Sequence, residues 1–381
     1  MRIGVVTTSF PIGASDPTGR FVYTRVLALA NAGHDVEVIC ARHDAGDDER
    51  GHARVRVTRI DAGARALFGG PGAPEVIEAA RGRQRFAVWA AAANFFGALM
   101  VEVRRRAVYW DFAESHWLVP CGLATTLAAA HVAHRAHAHS GDVAGLEQWP
   151  GGRLVARTIV TQAREVVCVS HDLRTRFLAL VGARARAGGR VRVASMPVGD
   201  DFAAAAEKAP SGCAPDGRRS VLGVGRLVPI KGFDGAILAL GRLPRQTRPR
   251  LVLLGEGPER ARLVALARAC HVELHAPGVV SPVEVARWMS MAVVAIVPSR
   301  TLPGGRTEGS PLAAREAMAC GVPVVASAVG GLADLRGTPG LTLVPDPGPA
   351  TLAAAVDRAL RTPAAGKTDA STNVNRIDAP A

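Results

Sequence analysis

Apolar, β-branched runs alternate with Ala- and Leu-rich stretches of helical period along most of the chain. Ile3–Thr7 is predicted as the first strand. Arg20–Ala32 has helical spacing and stops at Gly33, and Asp35–Cys40 is the next strand. Further strands are expected at Phe112–Ser115, Val132–Ala138, Glu165–Val169 and Val191–Ala194. A loose stretch rich in Ala, Pro, Gly and charge follows and reads as a linker. The alternation then restarts, with strands at Ser220–Val224, Arg250–Leu254, Val272–His275, Val293–Val297, Val322–Ala326 and Leu341–Val344.

Strands separated by helices predict an α/β fold of parallel sheets covered on both faces. The restart predicts two such domains, 1–200 and 220–361, joined by a linker at 201–219. The polar, aperiodic segment 362–381 is expected to be a disordered tail. Open α/β sheets bind ligands beyond the carboxyl ends of their strands. The natural site is then the cleft between the domains, and the informative residues follow strands.

The composition, 48% hydrophobic and 21% charged over 381 residues, is that of a globular protein with real cores and excludes a disordered chain. The net charge of +13 suits phosphate-bearing ligands or an anionic membrane surface. Of the 46 basic residues only Lys208, Lys231 and Lys367 are lysine. Cys40, Cys121, Cys168, Cys213, Cys270 and Cys320 form no C-x-x-C pair and read as reduced thiols of a cytoplasmic protein. The N-terminus lacks the pattern of a signal peptide. Phe86–Val101 is apolar apart from Asn94 and is flanked by Arg81, Arg83, Arg85 and Arg104–Arg106. At 16 residues it falls short of the ~20 needed to span a bilayer, and reads as a buried or half-buried helix or one lying on a membrane surface.

Several chemical signals fail. Ala365-Gly366-Lys367-Thr368 ends like a phosphate loop, but Arg361 stands where its first glycine belongs. Gly223-x-Gly225 lacks the third glycine of a dinucleotide fingerprint, and no serine sits in a G-x-S-x-G elbow. His131, His134, His137 and His139 cluster without an acidic or cysteine ligand at metal spacing, so no metal is expected. No aromatic residues interleave the arginines, which argues against nucleic acid.

The richest stretch is Pro298–Gly331, after the strand Val293–Val297. Ser310 suits an N-cap, Pro311 the first helical position and Gly321 the helix end. The N–H groups of Leu312 and Ala313 would then be free for an anion. Glu308 precedes that helix and Glu316 lies inside it. If both were helical their carboxylates would stand ~12 Å apart, wide for a glycosidase pair at roughly 5–9.5 Å. An elongated ligand with hydroxyls at both ends and phosphate between suits them. Arg226 and Lys231, in Gly225–Gly232 after the strand Ser220–Val224, could neutralise a diphosphate. A solvated loop charge is the plain alternative.

On these residues the chain resembles family 4 retaining glycosyltransferases. Gly225–Gly232 matches their GRL-x3-KG motif, Glu308–Glu316 their E-x7-E motif, and Gly330-Gly331 their glycine-pair turn. MRIGVVTTSFP with Gly19, and Ala32–Val36, resemble their first strand, loop and A-x-G-H-x-V. His116–Gly122 resembles the H-W-x-x-P-x-G of members that build bacterial cell-surface polysaccharides.

The resemblance implies two Rossmann-like domains facing across a cleft, the GT-B architecture. It implies a retaining, metal-independent transferase that moves a sugar from a nucleotide-diphosphate-sugar to a glycan, lipid-linked or small-molecule acceptor. No cofactor is implied. By residue, Arg226 and Lys231 would bind the diphosphate, and Glu308 would face the donor sugar. Gly309, Ser310, Pro311 and Leu312 would line the sugar and phosphate, and Glu316 would take the ribose hydroxyls. His139 would reach the sugar from the first domain, Gly19 would let its loop approach the diphosphate, and the base would lie near Gly278–Val280. An inactive nucleotide-sugar-binding subunit and a nucleotide-sugar epimerase of the same architecture are the alternatives.

The chain departs from the family pattern at four places. His139-Ser140-Gly141-Asp142 carries its glycine one place late, Val198 stands for an asparagine, and Asp334 for a frequent glutamate. After Ala350–Arg361 the family continues with further helices where this chain has the polar tail.

Overall fold

The computed structural model describes residues 1–13, 16–42, 51–63, 67, 85–182, 189–202, 204 and 218–361. Most of the expected linker, with Lys208 and Cys213, the flanking Arg81 and Arg83, and the tail 362–381 with Lys367 lie outside them.

The chain forms two compact units, Met1–Met196 and Pro197 onward. The second begins at Pro197, ahead of the start at 220 and the linker at 201–219 expected from composition, because Val198 and Phe202 are buried in its core.

The first unit is a seven-stranded parallel sheet in the order β3-β2-β1-β4-β5-β6-β7. Its strands are β1 Arg2–Val6, β2 Asp35–Ala41, β3 Val55–Ile60, β4 Phe112–His116, β5 Ala133–Ala138, β6 Glu165–Cys168 and β7 Val191–Val193. Its helices are α1 Arg20–Asn31, α2 Arg85–Ala107, α3 Leu123–Ala128, α4 Ser140–Gln148, α5 Gly152–Gln162 and α6 His171–Val181. Side chains alternate along β1, so Ile3 and Val5 pack with Val22, Val26 and Leu29 of α1 on one face. Val6 packs with Phe95, Leu99 and Val103 of α2 on the other.

Strand β3 was not among the expected strands: its V-R-V-T-R-I sequence puts an arginine on each face, so neither a continuous apolar run nor a clean alternation marks it. Helix α2 runs 23 residues, longer than the 16-residue apolar stretch, and is half-buried as that stretch predicts, with one face in the core and the other exposed.

The second unit is a six-stranded parallel sheet in the order β10-β9-β8-β11-β12-β13. The strands are β8 Ser220–Val224, β9 Arg250–Leu254, β10 Leu274–Gly278, β11 Val294–Val297, β12 Val324–Ser327 and β13 Leu341–Val344. The helices are α7 Phe233–Gly241, α8 Arg260–Ala269, α9 Pro282–Met291, α10 Leu312–Ala319 and α11 Pro349–Arg361. One face packs Val221, Leu251 and Ile296 on α7 and α11, and the other packs Leu222, Val252 and Val297 on α9 and α10. Both sheets reverse strand order beside their first strand, at β1/β4 and at β8/β11, which opens a ligand crevice at the carboxyl edge.

Candidate active site

In the second unit β8 delivers Gly225–Gly232 to that edge. The Leu227 N–H donates to the Glu256 carbonyl at 2.8 Å, which ties the loop to the turn after β9. The Arg300 N–H donates to the Ile230 carbonyl at 2.9 Å, which ties it to the loop after β11. Leu227 and Ile230 are buried anchors, Arg226 is exposed, and Lys231 is half-buried between the two loops.

Lys231 Nζ donates to Glu308 Oε2 at 2.7 Å, and Ser299 Oγ donates to the same oxygen at 3.1 Å. Glu308 Oε1 has no partner among the described residues. The Glu308 carbonyl accepts the Gly331 N–H at 2.9 Å. At Gly330, φ is 49° and a Cβ would lie 2.2 Å from that carbonyl oxygen, so only glycine lets the pair turn clasp the Glu308 loop.

Helix α10 begins one residue later than its sequence predicts. Pro311 is its N-cap, and no side chain caps it. Ser310 Oγ is buried without a hydrogen bond. The Leu312 N–H is not free for an anion, because it donates to the Ser310 carbonyl at 2.9 Å. A proline at the N-cap, with φ −82° and ψ 61°, folds the preceding carbonyl back onto that amide. The N–H groups of Gly309, Ser310 and Ala313 carry no partner among the described residues.

The carboxyl group of Glu316, on the second turn of α10, makes no hydrogen bond among the described residues. Burial pushes its carboxyl up to about 7, while Lys231 and Arg315 pull it down. Lys231 thus acts on both glutamates. Ser299 and the paired role of Lys231 were not foreseen from sequence; the one available signal for Ser299 is its place two residues after β11.

In the first unit Gly19 caps α1 with φ 65°, and a Cβ there would lie 2.2 Å from the Ser9 carbonyl oxygen. The loop after β1 therefore folds tightly onto the start of α1. His139 follows β5 and is buried, with Nε2 unpartnered. Burial, then His137, lowers its imidazole to about 3, so it is neutral. Asp142 fixes this turn: its carboxylate accepts the N–H groups of Leu118 at 2.7 Å, His139 at 3.1 Å and Val143 at 2.9 Å. The glycine displaced to 141 leaves that geometry intact. The ring of His139 lies 5.1 Å from Phe21 and 4.9 Å from Trp117, a residue held at φ 68°.

Beneath these rings Glu114 is wholly buried. Arg25 binds both its oxygens at 2.7 and 3.1 Å, and Arg135 reaches it at 3.0 Å. Its ligand atoms and those of His116 and His137 lie within 4.8 Å of one another. The two guanidiniums already satisfy the carboxylate and oppose a divalent cation there.

Residues 206–375 match the family described as glycosyl transferases group 1, and residues 18–199 match the glycosyl transferase 4-like domain. The D-inositol 3-phosphate glycosyltransferase of Jonesia denitrificans is 33% identical over 295 residues, 69% of this chain and 66% of that protein. The Bacillus subtilis protein TuaC, named for teichuronic acid biosynthesis, is 26% identical over 375 residues, 94% of this chain and 89% of its own. Anabaena HepE, solved with UDP and glucose, shares the fold at a TM-score of 0.64 and 19% identity, over 95% of this chain and 90% of its own. With its two parallel-sheet domains of the GT-B type, the chain belongs to the group 1 glycosyltransferases and carries their 4-like N-terminal domain.

Proposed function

We propose that this glycosyltransferase moves a sugar from a nucleotide-diphosphate-sugar to a hydroxyl of a glycan, lipid-linked or small-molecule acceptor. It does so on the cytoplasmic side, in cell-surface polysaccharide or glycoconjugate synthesis, with retained configuration and without a metal. One observation carries the reading: Lys231 Nζ donates to Glu308 at 2.7 Å at the carboxyl edge of the second sheet, beside the unpartnered amides of Gly309, Ser310 and Ala313. The UDP and glucose bound by HepE make uridine nucleotides the first donors to test.

Arg226 and Lys231 take the charge of the diphosphate, and that charge grows as the sugar leaves. The free amides of Gly309, Ser310 and Ala313 add fixed dipoles. Glu316 accepts bonds from the ribose hydroxyls, and the free Oε1 of Glu308 accepts from the sugar's hydroxyls. Neutral His139, in the first unit, offers Nε2 to the sugar. The bond from the anomeric carbon to the phosphate oxygen breaks, and the acceptor oxygen bonds to the same face of that carbon. The acceptor's proton passes to the departing phosphate.

Calorimetry with UDP-, GDP- and ADP-sugars tests the reading. Lys231→Ala, Arg226→Ala and Glu316→Gln should each weaken donor binding about tenfold or more. Unchanged affinity in all three removes the assignment. Transfer should survive EDTA, and the product should keep the donor's anomeric configuration by NMR.

A further inference from the structure

Helix α2 is apolar on two faces. Phe95, Leu99, Val103 and Ala107 sit in the core of the first unit, none more than 1% exposed. On the outer face Phe86 is 73% exposed, Trp89 56% and Val101 67%, and Val108 and Tyr109 continue the exposure just past the helix. A helix facing water carries charge there. Here the basic charges of the described helix surface gather in the last turn, at Arg104, Arg105 and Arg106. The segment Phe86–Ala107 is long and apolar enough to cross a bilayer, but its inner face is seated on the sheet, so it lies along a surface.

Where α2 ends, a cavity of about 730 Å³ opens at the amino ends of β1, β2 and β3, lined by Arg2, Arg54, Arg56, Arg105, Arg106 and Tyr109 among others. Asp35 holds Arg54 at 3.0 Å, Glu37 holds Arg106 at 2.5 Å, and Glu102 holds Arg105 at 3.0 Å. The guanidiniums of Arg2 and Arg56 have no partner among the described residues. The cavity keeps an excess of positive charge, and exposed Tyr109 joins its rim to the apolar face.

We infer that the outer face of α2 rests in the interface of an anionic phospholipid leaflet, with a lipid phosphate held in the cavity by Arg2 and Arg56. Apolar side chains enter the acyl boundary while arginines meet the headgroups, which is the chemistry of an interfacial helix. The other end of α2 approaches the carboxyl edge of the first sheet, because Gly63, shortly after β3, packs against Ala91. If the transfer proposed above holds, the leaflet lies beside the edge that carries Gly19 and His139, where a lipid-linked acceptor would arrive. Binding to the leaflet does not depend on that reading.

The test is flotation of the full chain with vesicles of phosphatidylcholine alone or with one-third phosphatidylglycerol, at low and high salt. Binding should require the anionic lipid and weaken in salt. Trp89→Ser, and Arg2→Gln combined with Arg56→Gln, should each lower partitioning about tenfold. Melting temperature and UDP-sugar affinity should stay unchanged in both variants. Equal binding to neutral vesicles, no binding, or full binding by the arginine variant overturns the inference. So does a dimer in light scattering that Trp89→Ser dissolves, since the face would then cover a second copy.

Discussion

Lys231 Nζ lies 2.7 Å from Glu308 Oε2, and the two side chains are 24% and 11% exposed. The ion pair is sheltered, and each member neutralises the other. Lys231→Ala strands a buried carboxylate and should cost about 1–3 kcal/mol in urea unfolding. Adding Glu308→Gln should restore much of that stability while leaving donor binding weak. Full recovery of binding in the double variant would mean that Lys231 serves only to hold Glu308.

Glu316 titrates at about 7 because burial disfavours its charge. A carboxyl whose pKa is raised in the folded state holds its proton there while the unfolded chain has lost it. Its contribution to stability therefore falls as pH rises from 4.5 to about 7 and then levels. Donor affinity should move the other way, because the ionised carboxylate is the better acceptor for ribose hydroxyls. Calorimetry at pH 6 and pH 8 should show tighter binding at the higher value. Glu316→Gln should flatten that dependence, and an unaltered pH profile in the variant would exclude Glu316 as its source.

Gly330 meets the Glu308 carbonyl oxygen so closely that alanine cannot fit without moving the loop. Gly330→Ala should cost about 1–3 kcal/mol and depress donor binding. Gly337 also has a positive φ, 83°, but nothing lies within 4 Å of its Cβ position. Gly337→Ala should lower stability alone. Equal donor binding by both variants would show that the glycine-pair turn does not position Glu308.

Burial, then neighbouring His137, holds His134 and His139 at about 3, against 6.5 when unfolded. The unfolded chain takes up protons first as pH falls. The stability of the first unit should therefore decline from pH 6.5 toward 3, by up to ~1.4 kcal/mol per pH unit per histidine. His134, whose Nε2 meets Ser115 Oγ at 2.8 Å, is the better probe because it lies on β5 rather than in the turn of His139. Thermal melts of His134→Gln should show a shallower acid slope, and a slope equal to the parent's would locate the effect elsewhere.

Much of the fold is legible in local pattern. Ser220–Val224 and Arg250–Leu254 are strands as the sequence predicts, because runs buried on both faces of a parallel sheet must be largely apolar. Val55–Ile60 escapes that reading because Arg56, Thr58 and Arg59 interrupt its apolar residues. The residue types of the site are legible too: Lys231 is one of three lysines, and Glu308 and Glu316 flank a glycine- and proline-rich helix start.

The sequence by itself determined the alternation of strands and helices, its restart after a linker, and the residue types at the second unit's loops, because periodicity and turn chemistry act over a few residues. Tertiary structure alone decided that Lys231 closes on Glu308 across 77 positions of chain, that the Leu312 amide is already taken, and that Asp142 ties Leu118 to the turn of His139. It also decided that α2 keeps an apolar face in the open. These outcomes depend on which loops packing brings together and which faces it leaves uncovered, and no local pattern encodes either.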